Sequence, residues 1–482
     1  MRYSLLVVLV FWGLLVCDIK AQSPEVIDIW PDGVPGQTAP KAAPDARMEG
    51  NSVKILTNVT HPILEVFRPH KEYVNGGAII ICPGGGYNVL AVNYEGYEIA
   101  RWFNTLGYTA FVLQYRVPGS RDGALQDAQR ALRIVRSRSN EWGINPSKIG
   151  IMGFSAGGSL SARLSCRYDE DLYARVDTSD DVSARPDFTM LIYPAYLDEG
   201  QNKSVTKELR LTGELPPMFM FGTHDDPHGN SVLSMASGLR EVKAPVELHY
   251  AAEGGHGYGL RMGNPSGEAW PLLAETWLSR IIPPIEARKN VKTIVCIGNS
   301  ITEGDGLYDR FAEAWPYVLQ QKLGAPYRVL NYGRSGKTML KKGGSSYWDD
   351  NALKNALNSN PDIVIIKLGT NDSKPQYWSG VQDFTNDYSD MIRAFKELPS
   401  KPEIYICTPV PAFSSGWDIS EKVITKEQIP AIKKLVAKEK VKFIDLYSEF
   451  ADKKQLFPDG IHPGKEGAEQ MADVMYKVII NK

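Results

Sequence analysis

The chain has 482 residues, more than one ordinary hydrophobic core organises, so two domains are expected. With 43% hydrophobic and 23% charged residues it has a globular composition, which excludes a disordered or low-complexity chain. A formal net charge of -2 gives no electrostatic footprint for nucleic acid or for a polybasic contact with a membrane surface.

The chain opens with MRYSLLVVLVFWGLLVCDIKAQ, which carries Arg2, an apolar run from Leu5 to Val16, and Ala21 before Gln22. This pattern reads as a signal peptide over residues 1–21, cleaved after Ala21 and too short for a stable membrane span. A lipoprotein signal through Cys17 competes, but Val16 stands where such signals place a small residue. The mature protein is therefore expected to be exported, periplasmic or secreted. The other cysteines, Cys82, Cys166, Cys296 and Cys407, lack CxxC or Cys/His spacing, so they read as small buried hydrophobes with no disulfide and no metal.

From Ala78 to about Ile282, short apolar runs alternate with helical patterns. AIIIC, TAFVLQY, KIGIMGF, FTMLIYP, MFMFGT and VELHYA read as strands, and ALQDAQRALRIVRS repeats apolar residues at helix spacing. Such alternation implies a mostly parallel sheet with helices on both faces. SRIIPPIEARKNVK, with a Pro-Pro pair and mixed charges, suits a linker. The alternation then restarts with KTIVCIG, YRVLNYG, DIVIIKLG, EIYICTP and VKFIDL. The expected organisation is a domain over residues 22–282, a linker over 283–291 and a second domain over 292–482.

In the first domain GFSAGG follows the strand KIGIM and precedes a helical run. Gly153 and Gly157 permit a tight turn that lifts the Ser155 hydroxyl above the strand ends, as a nucleophile elbow requires. The hydroxyl needs a base and an oxyanion site. Downstream, MFMFGTHDDPHG ends a strand in acidic residues, and VELHYAAEGGHGYG places His256 in a glycine-rich loop. Ser155, Asp226 and His256 thus occur in the order serine, acid, histidine, with Asp225 the alternative acid. Upstream, IIICPGGGY brings backbone N–H groups of Gly85 and Gly86 towards an oxyanion, joined by that of Ala156. On CPGGGY, GFSAGG, HDDP and GGHGYG, residues from about Ile27 to Ile282 resemble the α/β-hydrolase esterases that include acetyl xylan esterases. The sequence departs from relatives with a His-Gly-Gly-Gly loop at Pro83, which stands where their histidine would be.

The second domain presents another serine after a strand, in VCIGNSITEGDG. Three further blocks accompany it: LNYGRSGKT with Gly336, DIVIIKLGTNDSK with Asn371, and LFPDGIHPG, where Asp459 precedes His462 by three residues. These four blocks resemble, in order, those of the SGNH or GDSL hydrolases, from about Lys292 to the end. The resemblance implies a flavodoxin-like, three-layer α/β/α fold with Ser300 as nucleophile. It further implies His462 as base, Asp459 as its orienting acid, and an oxyanion hole from the N–H groups of Ser300 and Gly336 and the Asn371 amide. Asn299 replaces the usual aspartate of Gly-Asp-Ser without touching the nucleophile.

Both resemblances imply an exported carbohydrate esterase that removes O-acetyl groups from polysaccharides such as acetylated xylan, with two serine sites and no metal or organic cofactor. A feruloyl esterase in the first domain, and a sialate or pectin O-acetylesterase or a glycan-binding module in the second, are the alternatives.

Overall fold

In a computed structural model, residues 25–49, 53–201, 203–285 and 290–480 are described. The expected signal peptide at residues 1–21 and part of the expected linker lie outside them. Two open sheets carry the fold. The larger has eight strands in the spatial order Glu25–Asp28, Ile63–Phe67, Thr109–Gln114, Ala78–Cys82, Ile149–Phe154, Phe188–Ile192, Met218–Thr223, Val246–Ala251. Its first two pairings, of Ile63–Phe67 with Glu25–Asp28 and with Thr109–Gln114, are antiparallel, and the rest are parallel. The smaller is wholly parallel, in the order Tyr327–Gly333, Lys292–Gly298, Ile363–Lys367, Glu403–Cys407, Lys442–Ile444. In chain order this is 2-1-3-4-5, the flavodoxin-like arrangement. Every run read above as a strand is one, and the chain has the expected two α/β folds.

The central strands are buried on both faces, which is why they read as continuous apolar runs. In the smaller sheet the alternation is visible in the packing. Ile294, Cys296, Ile363, Ile365 and Cys407 enter one core, whereas Val295, Ile297, Val364, Ile366 and Ile406 enter the core on the other face. All four described cysteines are buried free thiols, and burial pushes those of Cys82, Cys166 and Cys407 up to about 12. Such thiols pack rather than react.

The strands before Ala78 lack a counterpart in the sequence reading: the two edge strands Glu25–Asp28 and Ile63–Phe67, and a separate arm. Asp45–Glu49 and Val53–Thr57 form an antiparallel arm, joined by Leu90–Ala91. Its outer strand is exposed at every position, so it carries no apolar run that would mark it.

The two domains meet over a polar and partly buried face. The Tyr73 hydroxyl donates to the Gln320 carbonyl at 3.0 Å and accepts from its side-chain amide at 2.7 Å. Arg328 donates to both Glu275 oxygens at 2.8 and 2.7 Å. Glu268 accepts from Arg334 and, at 2.7 Å, from Asn355.

Candidate functional site

Both candidate sites stand at the carboxyl ends of parallel strands, where successive loops converge. In the first domain, strand Ile149–Phe154 turns sharply into helix Ala156–Arg167, and Ser155 takes φ 50° and ψ -117° at the corner. A non-glycine residue in that region is strained, a cost that recurs at functional turns. The neighbouring glycines make the turn feasible. A Cβ on Gly153 would lie 1.9 Å from the Gly157 carbonyl oxygen, and one on Gly157 2.0 Å from that of Cys82.

Nε2 of His256 lies 2.8 Å from Ser155 Oγ, and its Nδ1 lies 2.8 Å from Asp226 Oδ2. The Asp226 side chain is 1% exposed, and its other oxygen accepts the His228 N–H at 2.7 Å. Asp225 faces elsewhere. It accepts the N–H groups of Gly254 and Gly255 at 3.1 and 2.8 Å, and so ties down the loop that carries the histidine. Those bonds, Gly255's foremost, hold the Asp225 carboxyl below the usual carboxylate range. The alternative acid is thus separated from the imidazole by function as well as by place.

The Pro83–Gly86 loop sits directly over the serine, since a Cβ on Gly84 would come 3.0 Å from Ser155 Cβ. Gly85 and Gly86 have φ of 136° and 64°, which admit glycine and strain other residues. Sequence reasoning missed what holds this loop. Glu95, buried, accepts the Gly84 N–H at 2.8 Å and the Tyr193 hydroxyl at 2.7 Å. Tyr193 in turn accepts the Gly259 N–H at 2.9 Å and meets the His256 ring edge-on at 5.1 Å. Desolvation pushes the Glu95 carboxyl up, against these bonds. One buried carboxyl therefore joins the glycine loop to the histidine loop. Nothing in the local sequence NYEGY marks it, because the partners are 11 and 98 residues away.

In the second domain strand Lys292–Gly298 leads into Asn299, whose side-chain oxygen caps the following turn by accepting the Ile301 N–H at 3.2 Å. Asn299 thereby keeps the capping role that an aspartate would fill. Nε2 of His462 lies 2.8 Å from Ser300 Oγ, and its Nδ1 2.7 Å from Asp459 Oδ2. The second Asp459 oxygen accepts the N–H groups of Ile461 and His462 at 2.8 and 2.7 Å. Desolvation works to raise the Asp459 carboxyl, and the His462 ring with these N–H groups outweighs it, so it titrates below the usual range.

Gly336, with φ 75°, follows strand Tyr327–Gly333. The Asn371 side-chain amide donates to the Lys337 carbonyl at 3.1 Å, which fixes its rotamer beside the Gly336 loop. The next residue, Asp372, is buried and accepts the N–H groups of Met339 and Leu340 at 3.0 and 2.8 Å. Desolvation lifts its carboxyl to about 6 against those bonds. Asp372 belongs to the same sequence block as Asn371, yet its part in holding the two loops together was not read. Ser300, Gly336, Asn371, Asp459 and His462 line one cleft of about 820 Å³. The structure thus brings every candidate residue of each domain to one of two places. Among the described residues no cluster of His, Cys, Asp and Glu has the form of a metal site, and no helix is long and apolar enough to cross a membrane.

Comparisons with known proteins agree with this division. Residues 296–470 match the GDSL-like Lipase/Acylhydrolase family, and residues 64–190 match the BD-FAE family. An acetylxylan esterase of Xylanibacter ruminicola is 34% identical over 452 residues, spanning 85% of this chain and 91% of that protein. Endo-1,4-beta-xylanase B of Butyrivibrio fibrisolvens is 31% identical over 39% of this chain and a third (33%) of its own length. Among solved structures, an acetyl ester-xyloside bifunctional hydrolase from Caldicellulosiruptor lactoaceticus covers 54% of this chain and 97% of its own at 27% identity, with a TM-score of 0.44. Conserved similarity along nearly the whole of both chains places this protein in the family of the Xylanibacter ruminicola acetylxylan esterase, as a serine carboxylic-ester hydrolase with an α/β-hydrolase domain followed by a GDSL-like acylhydrolase domain.

Proposed function

We propose that the protein is an exported carbohydrate esterase that removes O-acetyl groups from acetylated xylan or a related glycan, with an independent serine site in each domain. The domains run over residues 22–282 and 292–482, joined by a linker at 283–291. The observation that carries the reading is the pair of unbroken chains from serine to imidazole to carboxylate, at 2.8 and 2.8 Å in one domain and 2.8 and 2.7 Å in the other. The substrate class rests on the acetylxylan esterase relative.

In each site the histidine takes the serine proton as Oγ attacks the ester carbonyl. The oxyanion that forms is held by the N–H groups of Gly85, Gly86 and Ala156 in the first site. In the second it is held by the N–H groups of Ser300 and Gly336 and the Asn371 amide. As the tetrahedral intermediate collapses, the imidazolium protonates the sugar's ester oxygen, which departs as a hydroxyl and leaves an acetyl-serine. Water, deprotonated by the same imidazole, cleaves this ester, and acetate and free serine are released. Asp226 and Asp459 keep the imidazole in the required tautomer and stabilise its cation. No cofactor enters either cycle.

Acetate release from acetylated xylan and from an aryl acetate tests the reading, in wild type, Ser155→Ala, Ser300→Ala and the double variant. Each single variant is expected to retain part of the activity and the double variant to lose about a thousandfold or more. Full activity in either single variant on every acetylated glycan tried would remove that serine from the mechanism.

A further inference from the structure

The cleft at Ser300 has a side that its own domain does not supply. Across from Ser300 and His462 it is lined by Met48, Lys54, Asn93, Tyr94 and Glu98, all from the first domain. Met48 and Lys54 come from the two strands of the arm, the first of which is exposed throughout. Asn93 and Tyr94 come from the helical turn Asn93–Tyr97.

This side is held in place. The Asn93 side-chain oxygen accepts the Lys54 N–H at 2.8 Å, which fastens the arm to the turn. The Arg261 guanidinium lies 4.7 Å from the centre of the Tyr94 ring. Lys54 Nζ donates to the Tyr308 hydroxyl of the second domain at 2.9 Å, and so closes the cleft across the domain boundary. The carboxylate on this side, Glu98, stands 3.7 Å from Arg310.

The groups that remain suit one kind of ligand. An acetyl ester occupies little of a cleft of about 820 Å³. Two large aromatic rings of the second domain are left in water at the cleft, Tyr308 at 70% exposure and Trp417 at 67%, the latter with its ring centre 6.2 Å from that of His462, and Tyr94, partly exposed, lines it from the first domain. Exposed aromatic faces beside hydroxyl and ammonium donors match a pyranose, which has apolar C–H faces and a polar rim.

We propose that the first domain forms a sugar-binding wall for the Ser300 site, with Tyr94 and Lys54 holding xylose units next to the acetylated one. The specificity of the second domain is then set partly by the first. This rests on the reading of Ser300 as a nucleophile. One helical turn serves both sites, since Glu95 faces the Gly84 loop beside Ser155 while its neighbour Tyr94 faces the Ser300 cleft.

The test uses the full chain with Ser155→Ala, so that turnover reports Ser300, and compares an acetylated xylo-oligosaccharide with an aryl acetate. Tyr94→Ala and Lys54→Ala are expected to lower the ratio of kcat/KM for the oligosaccharide to that for the aryl ester by about fivefold or more, through KM, as for one lost contact worth about 1 kcal/mol. Lys54 is partly exposed and ends in a flexible side chain, so its truncation keeps the test open if Tyr94→Ala folds poorly. An unchanged ratio, including a parallel loss on both esters, overturns the wall. Absence of activity on both esters in the Ser155→Ala parent, before any wall variant is made, overturns the reading of Ser300 and the wall together.

Discussion

The two imidazoles have acids in contrasting surroundings. The Asp226 side chain is 1% exposed and that of Asp459 43%. Asp226 therefore interacts with His256 in a medium where a misplaced hydrogen bond is costly, and no solvent stands ready to replace it. An asparagine at this position keeps the shape but offers an N–H where an acceptor is needed, which favours the wrong tautomer. Asp226→Asn, assayed in a Ser300→Ala background, is expected to lower kcat by about 10³–10⁴-fold. Asp225→Asn keeps one acceptor oxygen for the Gly254 and Gly255 N–H groups and is expected to cost less than about tenfold, since a neutral hydrogen bond is worth about 1 kcal/mol. The reverse ranking would assign the acid's role to Asp225. The backbone bonds to Asp225 lower its pKa, so the loop stays tied throughout the neutral range.

At the scale of strands and turns, the candidate serine and oxyanion blocks were legible as turns because each places small residues directly after a buried parallel strand. GFSAGG, GNS and GTND all stand at such ends, and local spacing was enough to find them. Legibility failed where a contact joins distant segments. Glu95 and Tyr193 are 98 residues apart, and the arm at 45–57 gains its meaning from the other domain. Lys367 is a third case. It ends an otherwise apolar strand, is 1% exposed, and its Nζ has no hydrogen-bond partner. Burial depresses its pKa from 10.5 to about 7. Between those values the unfolded chain binds a proton that the folded chain does not, so this residue makes stability rise with pH from about 7 towards 10.5. Lys367→Met is expected to stabilise the protein near pH 7 by about 1–3 kcal/mol. The gain should shrink as the pH is raised, and thermal melts of both proteins across that window measure it. A gain that is constant with pH would mean that Lys367 titrates alike in the folded and unfolded states.

On the scale of the molecule, the two domains are more than neighbours on one chain. Polar interfaces between domains ordinarily leave them free to move and to unfold separately. Here Arg334 connects the domains through Glu268 while standing two residues before Gly336 of the Ser300 site. Glu268 lies near the start of the helix Pro265–Ile281, which follows the His256 loop. Both side chains are largely buried, at 14% and 7% exposure. Arg334 also donates to Asp350 of its own domain at 3.0 Å, so removal of Glu268 costs it one of two carboxylate partners, about 1.5–3 kcal/mol for a hydrogen bond to a charged group. The expected behaviour of the wild type is one cooperative calorimetric transition. Glu268→Ala, combined with Glu275→Ala to release Arg328, should divide it into two and lower Ser300-dependent turnover, because Arg334, beside the Gly336 loop, then keeps only its tie to Asp350 of its own domain. Two transitions already present in the wild type would show that the interface does not couple the domains, and that each loop holds its geometry without the other domain.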